Sequence, residues 1–326
     1  MFAKRFERPL VHLAVFALIY GFLLSYFAPS FLFSSTVTTG GDTASHYLTA
    51  DYLINTLLPR HEIIGWMPGN YAGFPLFQFY FPFPFLIMAA LNWFMPLQIA
   101  FKLVTVLGIF LLPLCAFFCL RLLGFRFPAP IFGAIFSLPF LFMEANSMWG
   151  GNIPSTLAGE FTYSIGFALL ILYLGLFSRG LAENKYAVLN AVLLSVIGLS
   201  HGYTLLFGVF VTTFFLFTTE RFLEKAWYTL KVNGIAFLLL GFWIIQLLWF
   251  MPYTTRFTFV WILKGLSQVF PPILWPVIAL ALAGLVFNLI RAIRRKSSPL
   301  KIPPVSAPTI HFPSPGWRGV RGGGRE

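Results

Sequence analysis

The stretch Gly40-Gly41-Asp42-Thr43-Ala44-Ser45-His46 combines residue types that suit chemistry at a backbone turn. The glycines allow tight backbone geometry and the close approach of a ligand. Asp42 and His46 are four residues apart, which places them on one face of a helix. Such a pair could bind a divalent metal, or the carboxylate could act as a general base beside the imidazole. The structural alternative is that Asp42 is a helix N-cap, which stabilises a helix by about 1 kcal/mol without any catalysis.

A second acid, Glu160, ends the segment Trp149-Gly-Gly-Asn-Ile-Pro-Ser-Thr-Leu-Ala-Gly-Glu160, just before an apolar run. A carboxylate at a membrane edge is costly unless it is solvated or paired. The dipole at the start of a helix also favours an acid there. Glu144 is nearby but could simply reach outward to water. Two acids that each follow a glycine-containing turn indicate a shared site more strongly than either acid does alone.

Several basic or polar residues could hold a phosphate near these acids. His201 interrupts a long apolar stretch in Gly198-Leu-Ser-His-Gly-Tyr203, and it is either a phosphate ligand or a polar turn residue. Lys102, Arg256 and Lys264 are predicted to face outward, where they could bind a lipid phosphate or only reach toward headgroups. The sequence has no GxSxG, HExxH or P-loop motif, so nucleotide binding of the soluble kind is unsupported.

The composition indicates what kind of element must position these residues. Hydrophobic residues make up 58% of the chain and charged residues 10%, whereas a soluble domain normally carries roughly 25% charged residues. The net charge of +12 lies in short clusters between long apolar runs. That pattern is typical of cytoplasmic loops and not of a nucleic-acid-binding face. Cys115 and Cys119 lie in an apolar run and are predicted to be buried as small hydrophobic side chains. Two thiols are too few ligands for a zinc site.

Apolar runs of about 20 residues predict membrane-spanning helices, and the chain is predicted to be an all-α polytopic protein with about eight of them. The predicted spans are 10–33, 99–120, 128–145, 161–178, 186–200, 202–219, 233–251 and 272–290. Segment 79–97 is short and contains three prolines. If it is re-entrant or interfacial, all five basic clusters, four in loops and one at the N-terminus, fall on the cytoplasmic side. Proline-broken backbone is tolerated where protein or water covers it, so we expect 79–97 to line a cavity.

The predicted outward loops are 34–98, 146–160, the turn at Ser200-His201, and 252–271. Within the first, apolar spacing from Thr43 to Leu58 predicts an amphipathic helix on the membrane surface. Pro59 ends this helix, and an extended or irregular stretch follows over 70–84.

The chain is predicted to divide into a transmembrane domain, residues 1–296, and a basic tail, residues 297–326. The tail is rich in Pro and Gly, which predicts disorder. One interpretation of such a tail is a truncated or frameshifted reading frame.

The order of these features resembles the C-type (GT-C) membrane glycosyltransferases over residues 10–290. More narrowly, it is similar to bacterial membrane proteins described as related to 6-pyruvoyl-tetrahydropterin synthase, a description that does not itself indicate pterin chemistry. The motifs that carry the resemblance are the Gly40-Gly41-Asp42 loop, Tyr80-Phe-Pro-Phe-Pro84, Arg121-Leu-Leu-Gly124 and the second acidic loop. The chain departs from the pattern because it lacks the usual C-terminal soluble domain.

The resemblance implies a polyprenyl-phosphate-linked sugar donor and transfer on the outer face of the bacterial inner membrane, often with a divalent cation such as Mg or Mn. It implies that Asp42 is the essential acid of the first outward loop, and that Glu160 is the second acid by position. We therefore predict a glycosyltransferase in which Asp42 is a general base or, with His46, a metal ligand. Glu160 assists it. The residues predicted to bind the lipid phosphate are His201, Arg256 and Lys102.

The alternative predictions are a transporter or flippase of a lipid-linked substrate, or an inactive truncated membrane protein. A transporter more often places its ionisable groups inside the spans near the bilayer midplane. The candidate acids lie at the edges of the predicted spans, which favours surface chemistry.

Overall fold

Each predicted span contains an α-helix in the computed structural model, which describes residues 3–69, 71–217, 221–255 and 262–294. The α-helices are α1 (Ala3–Tyr26), α2 (Pro29–Leu32), α3 (Thr43–Tyr52), α4 (Phe83–Asn92), α5 (Leu97–Leu122), α6 (Ala129–Leu141), α7 (Ile153–Ser155), α8 (Phe161–Glu183), α9 (Ala187–Ser200), α10 (Gly202–Phe214), α11 (Phe222–Phe250), α12 (Leu266–Val269) and α13 (Trp275–Arg294). Short π or 3-10 turns adjoin these helices at Leu53–Leu57, Leu58–Arg60, Thr156–Glu160, Phe215–Phe217, Met251–Tyr253 and Pro272–Leu274.

The chain divides into two units, residues 1–282 and 283–326. The described part of the second unit is residues 283–294, the C-terminal end of α13. The predicted tail over 297–326 lies outside the described residues, so its disorder stays a prediction.

Among the described residues, four helical stretches are long and apolar enough to cross a membrane. They are Pro9–Tyr26, Leu97–Leu122, Ile153–Glu183 and Phe222–Tyr253. The other predicted spans contain shorter apolar helices of 10–17 residues: Ala129–Leu141, Ala187–Ser200, Gly202–Phe217 and Pro272–Asn288. Helices of membrane composition are therefore found at all eight predicted spans, while spanning length is found at four.

The end of the first helix differs from the prediction. The span predicted over 10–33 ends as a helix at Tyr26, and the short α2 starts anew at Pro29. The predicted end was wrong because a residue that precedes proline is driven out of the helical conformation, which breaks an otherwise continuous apolar run. The proline-rich segment forms α4, whose 10 residues extend about 15 Å at 1.5 Å per residue. That is roughly half of the hydrocarbon thickness.

The first long loop contains the helix predicted from its apolar spacing. The backbone is helical from Thr43 to Arg60, and Ala50, Leu53 and Leu57 form its buried face. A small hairpin follows, in which β1 (Gly65–Met67) pairs antiparallel with β2 (Phe74–Leu76). The first of these strands was not predicted, because three residues are too few to show an alternating pattern.

Close packing of α5 against α8 forms the centre of the fold. A Cβ atom on Gly108 would fall 2.5 Å from the Ser164 backbone, and one on Gly175 would fall 2.7 Å from the Cys119 backbone. Small residues of this kind let membrane helices approach closely. Cys115 and Cys119 are both buried and free, as predicted.

Three apolar clusters surround this helix pair. One joins α1 and α6 to α5, the second packs α3, α4 and the hairpin on α5, and the third joins α8 to α9, α10 and α11. Trp243 on α11 links the last two, since its indole N–H donates to the Phe77 carbonyl over 3.0 Å. The loop that leads into α4 is thereby held beside the ends of α9 and α11.

Candidate functional site

The Gly40-Gly41-Asp42 turn lies directly against the loop that carries Glu160. The Asp42 amide donates to the Ala158 carbonyl over 2.8 Å. A Cβ atom on Gly41 would lie 2.0 Å from that same carbonyl oxygen, and Gly41 has φ of 49°. Only a glycine fits this position without displacing the backbone.

The second loop presents a glycine in return. Gly159 has φ of 126°, and a Cβ atom there would lie 2.9 Å from the Asp42 Cβ and 3.4 Å from His46 Cδ2. Thr43 adds a further link, since its hydroxyl lies 3.2 Å from the Leu157 carbonyl. A glycine of each loop therefore packs closely on the other loop, which brings Asp42 and the start of α8 together.

Asn152 holds the second loop in shape from inside the protein. Its fully buried side chain donates to the Met143 and Asn146 carbonyls over 2.6 and 2.9 Å. It also accepts from the Ser155 amide over 3.1 Å, as the N-cap of α7. Buried polar networks that are fully satisfied rigidify the segment that contains them, so the approach to Glu160 is fixed rather than loose.

Tyr80 lies within electrostatic reach of both acids. Burial raises the pKa of the Tyr80 phenol, the Thr162 hydroxyl opposes that rise, and the charges of Glu160 and Asp42 add to it. Asp42 is exposed, while Glu160 is half-buried. In the described part of the chain, the Asp42 side chain makes no capping hydrogen bond to α3, so the capping role does not occupy it. The two predicted acids thus share one site, open to solvent on the Asp42 side.

His46 forms the inner wall of this site. Its Nε2 lies 3.3 Å from the Tyr80 hydroxyl, and its ring stacks on Tyr80 and packs against Phe85 and Phe161. Burial lowers the pKa of His46 to about 4, against the opposing charge of Asp42. At neutral pH the imidazole is uncharged and can accept the phenol proton in a hydrogen bond.

His201 lies on the far side of Tyr80-Phe81, at the junction of α9 and α10. Its ring centroid is 4.5 Å from that of Phe81 and 5.0 Å from that of Tyr163. Its Nδ1 accepts a hydrogen bond from the Tyr203 amide over 3.2 Å, so the neutral ring carries its proton on Nε2. His201 can therefore offer a hydrogen-bond donor to a phosphate oxygen.

Lys102 is bound by a neighbouring segment rather than by the two acids. Lys102 is 2% exposed, and its ammonium donates to the Phe31 carbonyl and to the carbonyl and hydroxyl of Ser34, over 2.6 to 2.8 Å. Arg256 lies outside the described residues, and Lys264 is exposed. The phosphate-binding roles of Lys102 and Arg256 stay predictions.

The divalent cation implied by the resemblance would find oxygen ligands on Asp42 and Glu160. Mg²⁺ in proteins is often held by one or two carboxylates together with substrate phosphates. Over the described ranges, no group of three or more His, Cys, Asp or Glu side chains could hold a metal ion. The residues suit a cation shared with a substrate rather than a closed protein cage, and the Asp42–His46 pair as metal ligands stays a prediction.

The sequence indicates Asp42, Glu160, His46 and His201 as candidates but not what joins them. Tyr80 belongs to an aromatic and proline-rich motif that does not mark it as a neighbour of both carboxylates. Gly159 belongs to a turn, and nothing in the sequence indicates that it packs on Asp42.

One comparison with known proteins identifies a family. The family model described as "6-pyruvoyl-tetrahydropterin synthase related domain; membrane protein" matches residues 77–294, more than half of the chain. No curated protein and no solved structure matches the chain. The matched range includes Tyr80, Glu160 and His201, whereas Asp42 and His46 precede it.

Proposed function

Because this chain belongs to the 6-pyruvoyl-tetrahydropterin synthase-related family of membrane proteins, we propose that its membrane-edge site transfers a sugar from a polyprenyl-phosphate donor to an acceptor. The observation that supports the proposal is the packing of Gly41 on the Ala158 carbonyl and of Gly159 on Asp42, because it brings Asp42 close enough for its charge to act on Glu160. An exposed carboxylate beside a half-buried one, against a wall of aromatic rings, suits base chemistry on a bound hydroxyl.

In the proposed reaction, Asp42 takes the proton of the acceptor hydroxyl. The acceptor oxygen then bonds to the anomeric carbon of the sugar. The bond between that carbon and the donor phosphate oxygen breaks, and polyprenyl phosphate leaves as the anion. Asp42 and Glu160 would hold a divalent cation, which would neutralise charge on that phosphate.

The remaining side chains have binding roles in this proposal. Glu160 orients the acceptor or the cation, and His201 donates from Nε2 to the donor phosphate. Arg256 supplies a positive charge to the same group. Lys102 is not assigned to this step, because its ammonium is held by residues 31–36 in a separate cavity.

The direction of the helices supports a site on the outer face of the membrane. α5 runs from the candidate site toward Arg121, and α8 runs from Glu160 toward Arg179. α9 runs back toward His201. The basic residues therefore lie at the helix ends opposite to the acids, and the positive-inside rule assigns those basic ends to the cytoplasm. We infer an inner-membrane protein with a cytoplasmic N-terminus.

The proposal is tested by replacing Asp42 with Asn in the full chain. The assay supplies a panel of labelled polyprenyl-phosphate sugars in vesicles and measures released polyprenyl phosphate together with labelled acceptor. Loss of a general base reduces the rate by about 10²–10⁴-fold, so we expect Asp42→Asn to reduce transfer by that factor with an unchanged unfolding midpoint.

Asp51→Asn is the matched control, since Asp51 is on the same helix and its carboxylate accepts a hydrogen bond from the Asn55 side chain, which an amide oxygen could also accept. The control should transfer sugar at the wild-type rate. Undiminished transfer by Asp42→Asn, or no transfer by the wild type with any donor of the panel, would rule out the proposed reaction.

A further inference from the structure

A second cavity lies behind the Asp42 turn and is not used by the proposed reaction. It has a volume of about 690 Å³, is open to the surface, and is lined by the end of α1, residues 28–39, Thr43, α5 and Leu157. Ligand pockets in proteins commonly measure about 300–1,000 Å³. The cavity is therefore large enough for a small ligand or the head of a larger one.

Both polar and apolar side chains line this cavity. The polar residues are Thr36, Thr38, Thr39, Thr43, Thr105 and Lys102. The apolar residues include Tyr26, Phe27, Leu32, Val106 and Leu157. A ligand that matches this lining has a polar head and an apolar body.

The charged group that lines the cavity is the Lys102 ammonium, which has no acidic partner among the described residues. Lys102 is 2% exposed, and all of its hydrogen-bond acceptors within the described ranges are neutral oxygens. A buried charge is costly unless it is paired. An anion in the cavity would supply the missing counter-charge without displacing the three short hydrogen bonds of the ammonium.

An unused hydroxyl is a second, independent sign of a ligand. Thr38 lines the cavity, and its buried Oγ1 has no hydrogen-bond partner among the described residues. Buried polar groups are nearly always hydrogen-bonded in folded proteins. Thr36 also lines the cavity, and its Oγ1 lies 3.5 Å from the Lys102 Nζ. A hydroxyl and the positive charge are therefore neighbours at this cavity.

We infer that this cavity binds the phosphate group of a membrane lipid, with Lys102 as the counter-charge, the Thr38 hydroxyl as a donor and the lipid body against the apolar side chains of the lining. Phosphate oxygens accept several hydrogen bonds at once and carry the required negative charge. The inference goes beyond the proposed sugar transfer and does not depend on it, because it concerns binding at a different cavity.

The test uses the full chain in a phosphate-free maltoside detergent. Thermal unfolding is followed while phosphatidylglycerol is added in one arm and glycerol 3-phosphate in the other. A ligand of the folded state raises the unfolding midpoint in proportion to its occupancy. We expect phosphatidylglycerol to raise the wild-type midpoint at concentrations where glycerol 3-phosphate has a much smaller effect.

Three variants make the test specific. Thr38→Val should unfold at the wild-type midpoint or above it without lipid, because it removes an unpaired buried hydroxyl, and should bind the lipid more weakly. Lys102→Gln also removes the tether of residues 31–36, so its readout is the lipid-induced shift, with affinity weakened by about tenfold or more. Lys185→Gln removes an exposed lysine that does not line the cavity and should respond to lipid as the wild type does.

Two results would overturn the inference. An absence of any lipid-induced shift in the wild type, or a full shift in both Thr38→Val and Lys102→Gln, would show that the cavity does not bind the phosphate. An equal shift by glycerol 3-phosphate would overturn the lipid source and assign the site to a soluble phosphate.

Discussion

Tyr80 and His46 form the inner polar contact of the candidate site. The phenol stays protonated because burial raises the pKa of Tyr80, and the imidazole stays neutral because burial lowers the pKa of His46 to about 4. A neutral donor and a neutral acceptor 3.3 Å apart then share one hydrogen bond. The charges of both carboxylates act on the Tyr80 phenol. The Tyr80–His46 pair therefore gives the site a polar wall that carries no positive charge.

His46 should make the folded protein sensitive to acid. Its pKa is about 6.5 in an unfolded chain and about 4 in the folded protein. Between these two pH values the unfolded state binds more protons than the folded state. The contribution of His46 to stability is therefore complete above pH 6.5 and falls as the pH is lowered toward 4. We expect His46→Gln to reduce the slope of the unfolding free energy with pH by up to about 1.4 kcal/mol per pH unit.

The measurement is the stability of the detergent-solubilised protein between pH 4 and pH 8. His61→Asn is the control, since His61 is exposed and its φ of 61° is tolerated by asparagine. The control should keep the wild-type slope. If His46→Gln also kept it, the neutral buried imidazole would be wrong.

At the scale of elements, two glycines determine how the start of α3 meets the start of α8. The sequence correctly indicated that both acids follow glycine-containing turns. It could not indicate that the turns interlock, because the contact joins positions 114 residues apart. That distance is bridged by the packing of α5 on α8 through Gly108 and Gly175, a tertiary property that hydropathy does not encode.

Gly159→Ala should separate the two loops. Its φ of 126° is unfavourable for alanine, and the new Cβ would lie 2.9 Å from the Asp42 Cβ. We expect a loss of about 1–3 kcal/mol of stability, measured as a lower thermal unfolding midpoint, together with loss of the Asp42 amide hydrogen bond to Ala158.

Gly234→Ala provides the matched comparison, because nothing lies within 4 Å of the new Cβ on α11. It should leave the protein as stable as the wild type or stabilise it by up to about 1 kcal/mol. Equal stability of Gly159→Ala and the wild type would mean that the loops do not meet as described.

At the scale of the whole molecule, the fold could be predicted further than the site. Apolar runs located a helix at every predicted span, because lipid-compatible composition is a local property of the chain. Helix lengths were less predictable, since the helix breaks before Pro29 although the apolar run continues past it. The separate cavity of Lys102 was not foreseen, because the sequence does not reveal that residues 31–36 fold back onto α5.

The proposed orientation predicts which loops can be labelled from outside the cell. Arg60 lies in the loop of Asp42, whereas Lys185 lies at the opposite helix ends, and both are exposed. A membrane-impermeant thiol reagent should label Arg60→Cys in intact spheroplasts and Lys185→Cys only after permeabilisation. The buried Cys115 and Cys119 should give little background. The reverse pattern would place the candidate site in the cytoplasm.

The interlocked loops also have a consequence for biosynthesis. Membrane segments leave the ribosome in chain order, so the turn before α3 is made 114 residues before its partner. At roughly 5–20 residues per second, the first loop waits about 6 to 23 seconds for the second. During this interval, the Asp42 amide has no Ala158 carbonyl to which it can donate. A ribosome that stalls before residue 158 therefore leaves the exposed Asp42 turn without its partner loop.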